Sequence, residues 1–192
     1  MKLIISSRDF KDPTSAKGIY DNLGLPIEKC RVLFFANEHS SKSQLKGDKF
    51  KKRLEAYGFA RENIYVFNYY DPEPFYGLDI DAVFIGPGNT FATMMRIKRA
   101  GFDRAIVDYV KNGAVYIGSS AGAHIASPSM EHAVRYDPDT FGLEDLSGLG
   151  LCDRIFICHF GDERRAHYEE LVAKGEYPVT ALANDEYIVI EK

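Results

Sequence analysis

Gly118-Ser119-Ser120-Ala121-Gly122 is the stretch of this chain best suited to nucleophilic chemistry. It fits the pattern G-x-S-x-G with Ser120 at its centre. It follows a β-branched run (residues 114–117) and precedes a helical one (121–126), the strand–turn–helix setting that the pattern requires. A serine on so tight a turn adopts a strained backbone, and small neighbours let the turn close and a substrate approach. The free N–H groups of the helix that starts there are positioned to stabilise an oxyanion on an attacked carbonyl. Ser119 is out of register, because it lacks glycines two residues to either side. A glycine-rich strand–helix turn can equally hold an anion or do no chemistry, so the motif alone leaves catalysis and binding both open.

A serine hydroxyl needs a base, and five histidines are available. His39 follows the second strand in a polar loop, and His132 falls in an irregular segment. His167 lies within a late helix and is expected at the surface. His124 stands four residues beyond Ser120 on the same helix, so its ring is expected to point along that helix. His159 ends the apolar run 154–158 and so emerges at a strand's carboxyl end, where open α/β sheets place their sites. Ser120 ends a strand in the same way, so the two can converge. A carboxylate to orient the imidazole is offered by Asn184-Asp185-Glu186, in a turn before the last apolar run. A solvated turn carboxylate is the competing reading.

A second glycine-rich turn, Gly86-Pro87-Gly88-Asn89-Thr90-Phe91, follows another strand-like run. Phe91 stands where a dinucleotide fingerprint would have its third glycine, and Pro87 stiffens the turn, so no cofactor is expected. A backbone N–H at Gly88 or Asn89, facing that of Ala121, would instead complete an oxyanion hole.

The elements that must position these residues read as α/β. Residues 3–5, 32–35, 64–67, 82–85, 114–117, 155–157 and 187–190 are short apolar runs bounded by turn formers, as strands buried on both faces read. Helical periodicity marks 44–57, 90–99, 102–111 and 164–174. This alternation implies a parallel sheet covered by helices on both faces, in a single domain over residues 1–192. Residues 128–150 are turn-rich and irregular, which in such a fold suggests a site loop. Lys46, Lys49, Lys51, Lys52 and Arg53 read as the solvated face of an amphipathic helix.

The composition narrows the partners. The 192 residues are 45% hydrophobic and 27% charged, with a formal charge of −4, which argues against nucleic-acid binding through bulk positive charge. Three cysteines with no C-x-x-C pair give neither a disulfide framework nor a zinc site, so no metal is expected and Cys30, Cys152 and Cys158 read as buried small hydrophobes. The N-terminus is apolar for only four residues before charge arrives, and no stretch approaches a membrane span. These features lead to the expectation of a soluble cytoplasmic protein.

Three segments together carry a resemblance. Gly86-Pro87-Gly88-Asn89-Thr90-Phe91, Gly118-Ser119-Ser120-Ala121-Gly122-Ala123, and Gly148-Leu149-Gly150-Leu151 followed by His159-Phe160 resemble the peptidase E (dipeptidase E, alpha-aspartyl dipeptidase) family of serine peptidases. The resemblance runs in order through essentially the whole chain. It implies a three-layer α/β/α sandwich with a mostly parallel sheet, like that of class I glutamine amidotransferases. It also implies a Ser-His-Glu triad carried by Ser120, His159 and Glu186, with Asp185 as the alternative acid. Asn89, Thr90, Asp137 and Arg164 become candidate substrate-binding residues, with Arg135 and Arg165 as further cations for a substrate carboxylate. Where many members have proline before the base, this chain has Cys158. The implied activity is hydrolysis of short peptides, dipeptides with N-terminal aspartate, through an acyl-enzyme, and the resemblance admits a homodimer. A cyanophycinase-like or other amide hydrolase, and a catalytically silent binding protein, are the alternatives.

Overall fold

In the computed structural model, which describes residues 1–37, 40–140 and 142–192, every apolar run singled out above forms a strand. They are β1 (Lys2–Ser6), β2 (Val32–Phe35), β3 (Ile64–Val66), β4 (Ala82–Ile85), β5 (Val115–Ser119), β6 (Ile155–Ile157) and β8 (Tyr187–Glu191). A further short strand, β7 (Val179–Ala181), pairs with β6. Six strands form one sheet in the order β3-β2-β4-β5-β1-β8, and β6 and β7 form a second, two-stranded one. All pairs are parallel except β1 with β8. The inner strands are apolar on both faces because helices cover both. Leu3, Ile4 and Ile5 of β1, Val83 and Phe84 of β4, and Tyr116 and Ile117 of β5 are all fully buried.

The helices are α1 (Pro13–Asn22), α2 (Lys42–Lys46), α3 (Lys49–Glu55), α4 (Thr90–Arg99), α5 (Asp103–Lys111), α6 (Ala121–Ala126) and α7 (Asp162–Lys174). The single helix expected over 44–57 is two, because Gly47 takes an extended conformation (φ −88°, ψ −179°) between them. Helix α1 carries the start signals of Asp12 and Pro13: the Asp12 carboxylate accepts from the N–H groups of Thr14 and Ser15, both at 2.9 Å. Lys46, Lys49 and Lys52 are exposed as expected, but Arg53 turns inward to pair with Asp9, which is only 2% exposed. Among the described residues no helix is long and apolar enough to cross a membrane.

The carboxyl ends of β1, β4, β5 and β6 converge on the site. Two features bring them there. Ser6 of β1 lies opposite Ser119 of β5, and their hydroxyls share a buried hydrogen bond of 2.7 Å. Helix α6 approaches the end of β4 so closely that a Cβ on Gly122 would stand 2.1 Å from the Ile85 carbonyl oxygen, which only glycine permits. Residues 128–150 hold a 3₁₀ turn (Glu131–Arg135) and a bridge between Ser129 and Ser147.

Candidate active site

Ser120 sits at φ 51°, ψ −107°, a conformation costing a non-glycine residue about 1–3 kcal/mol. The surroundings impose it. Its N–H donates to Ser6 O (3.1 Å), and its own carbonyl accepts from the N–H groups of Ala123 (2.9 Å) and His124 (3.2 Å) as α6 begins. The other non-glycine residue with positive φ among the described residues is His159, at 54°. These two strained residues meet: Ser120 Oγ lies 3.2 Å from His159 Nε2. Strain concentrated on both partners of one hydrogen bond is typical of a functional constellation rather than of a connecting turn.

His159 is fixed from three directions. Its backbone N–H donates to Ser7 Oγ (2.6 Å), and the next residue, Phe160, donates its N–H to Leu182 O (2.9 Å). Its ring Nδ1 lies 2.7 Å from Asn184 Oδ1 and 3.4 Å from Ser7 Oγ. An Nδ1–H donating to the Asn184 carbonyl leaves the Nε2 lone pair facing the Ser120 hydroxyl, the tautomer a general base needs.

The position behind the ring is therefore held by Asn184, not by Glu186. The Glu186 carboxylate turns back to accept from the Ala183 N–H (2.7 Å), and the Glu186 N–H donates to Ala183 O (3.1 Å). That closed turn presents residue 184 to His159 and leaves Asp185 exposed. Ser7, fully buried, joins the two halves of the site: besides holding the His159 backbone, it donates its own N–H to Glu186 O (3.1 Å). Sequence reasoning passed over Ser7, although a polar residue just past the carboxyl end of an apolar strand is the available signal.

The expected oxyanion donors, Gly88 and Ala121, stand on the turn after β4 and at the first residue of α6, beside Ser120. The residues between them do other work. Asn89 caps α4, its Oδ1 accepting from the Ala92 N–H (2.9 Å) while its amide donates to Pro138 O (3.2 Å). Thr90 gives both its N–H (3.0 Å) and its hydroxyl (2.6 Å) to Asp137 Oδ2. Asn89, Thr90 and Asp137 thus lash the irregular 128–150 segment to the start of α4.

Of the remaining histidines, the three described ones make no hydrogen bond to Ser120 Oγ. His124 is buried, with Nδ1 3.1 Å from Thr90 Oγ1, and burial pushes its pKa well below the usual imidazole value. His132 is buried against it, the rings crossing edge-on at 5.1 Å, with Nε2 donating to Phe156 O (2.9 Å). Burial takes His132 down to about 4. Among the described residues, His124 Nε2 and His132 Nδ1 find no hydrogen-bond partner. His167, expected at the surface, is 8% exposed, with Nδ1 2.5 Å from the Tyr136 hydroxyl, because Tyr136 in the irregular segment folds over α7. His39 lies outside the described residues.

Of the three arginines, Arg135 pairs with Glu170 and Arg165 with Asp162. Arg164 alone stays beside the base: it donates to Cys158 O and lies 4.0 Å over the Tyr136 ring. All three cysteines are free and buried, and burial raises the Cys158 thiol to about 12, so it offers no competing thiolate. Among the described residues no three histidine, cysteine or acidic side chains gather as a metal site.

Comparison with known proteins bears on the family and the fold. Residues 39–192 match the model of peptidase family S51. Peptidase E of Salmonella typhi is 32% identical over 118 residues, covering 57% of this chain and 52% of that protein. Peptidase E of Streptomyces coelicolor is 28% identical over 123 residues, covering 59% and 50%. The chain spans about half the length of these curated relatives. A crystal structure of a Listeria monocytogenes EGD-e protein superimposes with a TM-score of 0.71 at 21% identity, covering 100% of this chain and 98% of that one. One of a peptidase from an acI-B1 Actinobacterium gives 0.65 at 13% identity, covering 98% and 82%. At these identities the two structures speak for the fold.

Proposed function

We propose, from the premise that the chain belongs to peptidase family S51, that it is a serine-type peptidase acting on short peptides. Ser120 is the nucleophile, His159 the general base and Asn184 the residue that orients the base. The observation that carries this reading is the 3.2 Å contact between Ser120 Oγ and His159 Nε2, made by the two strained non-glycine residues.

Nε2 takes the hydroxyl proton as Oγ attacks the peptide carbonyl carbon. The oxyanion that forms is stabilised by the N–H groups of Gly88 and Ala121, fixed in place before reaction. The imidazolium gives its proton to the leaving nitrogen, the C–N bond breaks, and an ester joins the acyl group to Ser120. Water then loses a proton to Nε2, attacks the ester, and Oγ recovers that proton. Asn184 fixes the tautomer throughout. Being neutral, it lacks the charge with which a carboxylate would also stabilise the imidazolium. A preference for aspartate before the scissile bond would have to come from Arg164, the one cation of the three beside the base.

A dipeptide panel varying the N-terminal residue, run with Ser120→Ala beside the parent, tests this. The expected result is hydrolysis by the parent and a loss of three or more orders of magnitude in the variant. Equal rates in the two would refute the nucleophile assignment.

A further inference from the structure

A cavity of about 210 Å³ opens beside the base, walled by Ser7, Arg8, Asp9, Lys11, Pro87 and His159. The steps described above do not use it. Two of its walls belong to the catalytic groups: His159 itself, and Pro87, which precedes the oxyanion donor Gly88. Its charge is one-sided. The buried Asp9 is already paired with Arg53. Arg8 and Lys11 are exposed, and among the described residues neither side chain has an anionic partner.

The imidazole must protonate the departing nitrogen, so it borders the space into which the leaving residue goes. The α-carboxylate of a C-terminal residue is separated from that nitrogen by a single carbon, which keeps it close to the imidazole that walls the cavity. The volume suits one residue rather than an extended chain. Resting on the serine-peptidase reading of Ser120 and His159, we propose that this cavity is the leaving-residue subsite and that Arg8 and Lys11 bind the substrate's free C-terminal carboxylate. To the short-peptide reading this adds a preference for a leaving residue that carries a free carboxylate. Arg164 is not among the cavity's walls, so recognition on the acyl side is a separate matter.

The test uses two mixtures: dipeptides X–Ala, with X any common amino acid, and the matching X–Ala amides. Mass spectrometry follows release of alanine and alaninamide, so the preferred X need not be known. The parent should cleave the free acids about tenfold faster or better, the worth of one charge-assisted hydrogen bond. That preference should shrink as salt rises from 0.1 M to about 1 M and the Debye length falls from ~10 to ~3 Å. In Arg8→Gln/Lys11→Gln the ratio should fall to near one, with a melting curve confirming that the variant is folded. Equal rates for acids and amides in the parent, an unchanged preference in the double variant, or hydrolysis of neither mixture by an enzyme whose Ser120 reacts with a fluorophosphonate would each overturn the subsite. Absence of fluorophosphonate reaction, with hydrolysis surviving Ser120→Ala, would instead overturn the underlying serine-peptidase reading.

Discussion

Replacing Asn184 with aspartate tests the orienting role with a perturbation whose size follows from the structure. The side chain keeps its shape, and an oxygen still lies about 2.7 Å from His159 Nδ1, but it now carries charge. With the charge centres roughly 4 Å apart, a carboxylate and an imidazolium attract by about 1 kcal/mol in a water-like medium and ~4 kcal/mol at an effective dielectric of 20. Residue 184 is exposed, which selects the lower figure. About 1 kcal/mol of extra stabilisation for the imidazolium formed during attack is roughly a fivefold rise in kcat/KM on the alkaline plateau. Asn184→Ala removes the hydrogen bond and slows the enzyme about fivefold, as loss of ~1 kcal/mol requires. Glu186→Gln is the control: it keeps an oxygen for the Ala183 N–H and should leave kcat/KM within about twofold. The assay is kcat/KM for one dipeptide from pH 5 to 9 in all four proteins. Silence of both Asn184 variants, with a drop of an order of magnitude or more in Glu186→Gln, would refute the assignment and return the acidic role to Glu186.

Three further expectations concern stability. Ser120→Gly places at φ 51°, ψ −107° the one residue for which that conformation is unstrained, so the inactive variant should melt about 2 °C or more above the parent; a lower Tm would remove the claim of strain. Gly122→Ala forces a Cβ to 2.1 Å from Ile85 O and should cost at least about 2 kcal/mol, read from the urea midpoint; an unchanged midpoint would contradict the packing of α6 on β4. His132 titrates near 4 when buried and near ~6.5 when unfolded, so between those values the unfolded chain binds the extra proton. Its contribution to stability is complete above pH ~6.5 and is lost as pH falls towards 4, and buried His124 adds the same sign. Tm should therefore fall less steeply across that window in His132→Gln than in the parent, and parallel curves would count against it.

The fold was legible because its strands are buried on both faces and so read as unbroken apolar runs. Residues 32–35 and 82–85 became β2 and β4 with their boundaries unchanged, as 90–99 became α4. The break between α2 and α3 was not legible: the apolar period continues through it, and only Gly47, which a helix tolerates at modest cost, marks the place. Ser120 and His159 could be paired from sequence because each stands just past the carboxyl end of a strand, where open α/β folds gather their sites; that β6 would leave the main sheet and pair with β7 instead was not legible. Nor was the third member. Asn184, Asp185 and Glu186 are consecutive polar residues, and which one meets the imidazole depends on Glu186 folding back onto Ala183. The burial of His124, His132 and His167 was equally hidden, since it is decided by how the 128–150 segment packs on α6 and α7, and that segment has no periodicity to read.

The central claim is that the Ser120 hydroxyl is activated by His159, and site-mapped reaction with a fluorophosphonate probes it without any assumption about substrate. Peptide mapping should find the adduct on Ser120, formed at least about a hundredfold more slowly in His159→Gln and absent in Ser120→Ala. An adduct that forms as fast without the imidazole, or one mapped to another serine, would contradict it.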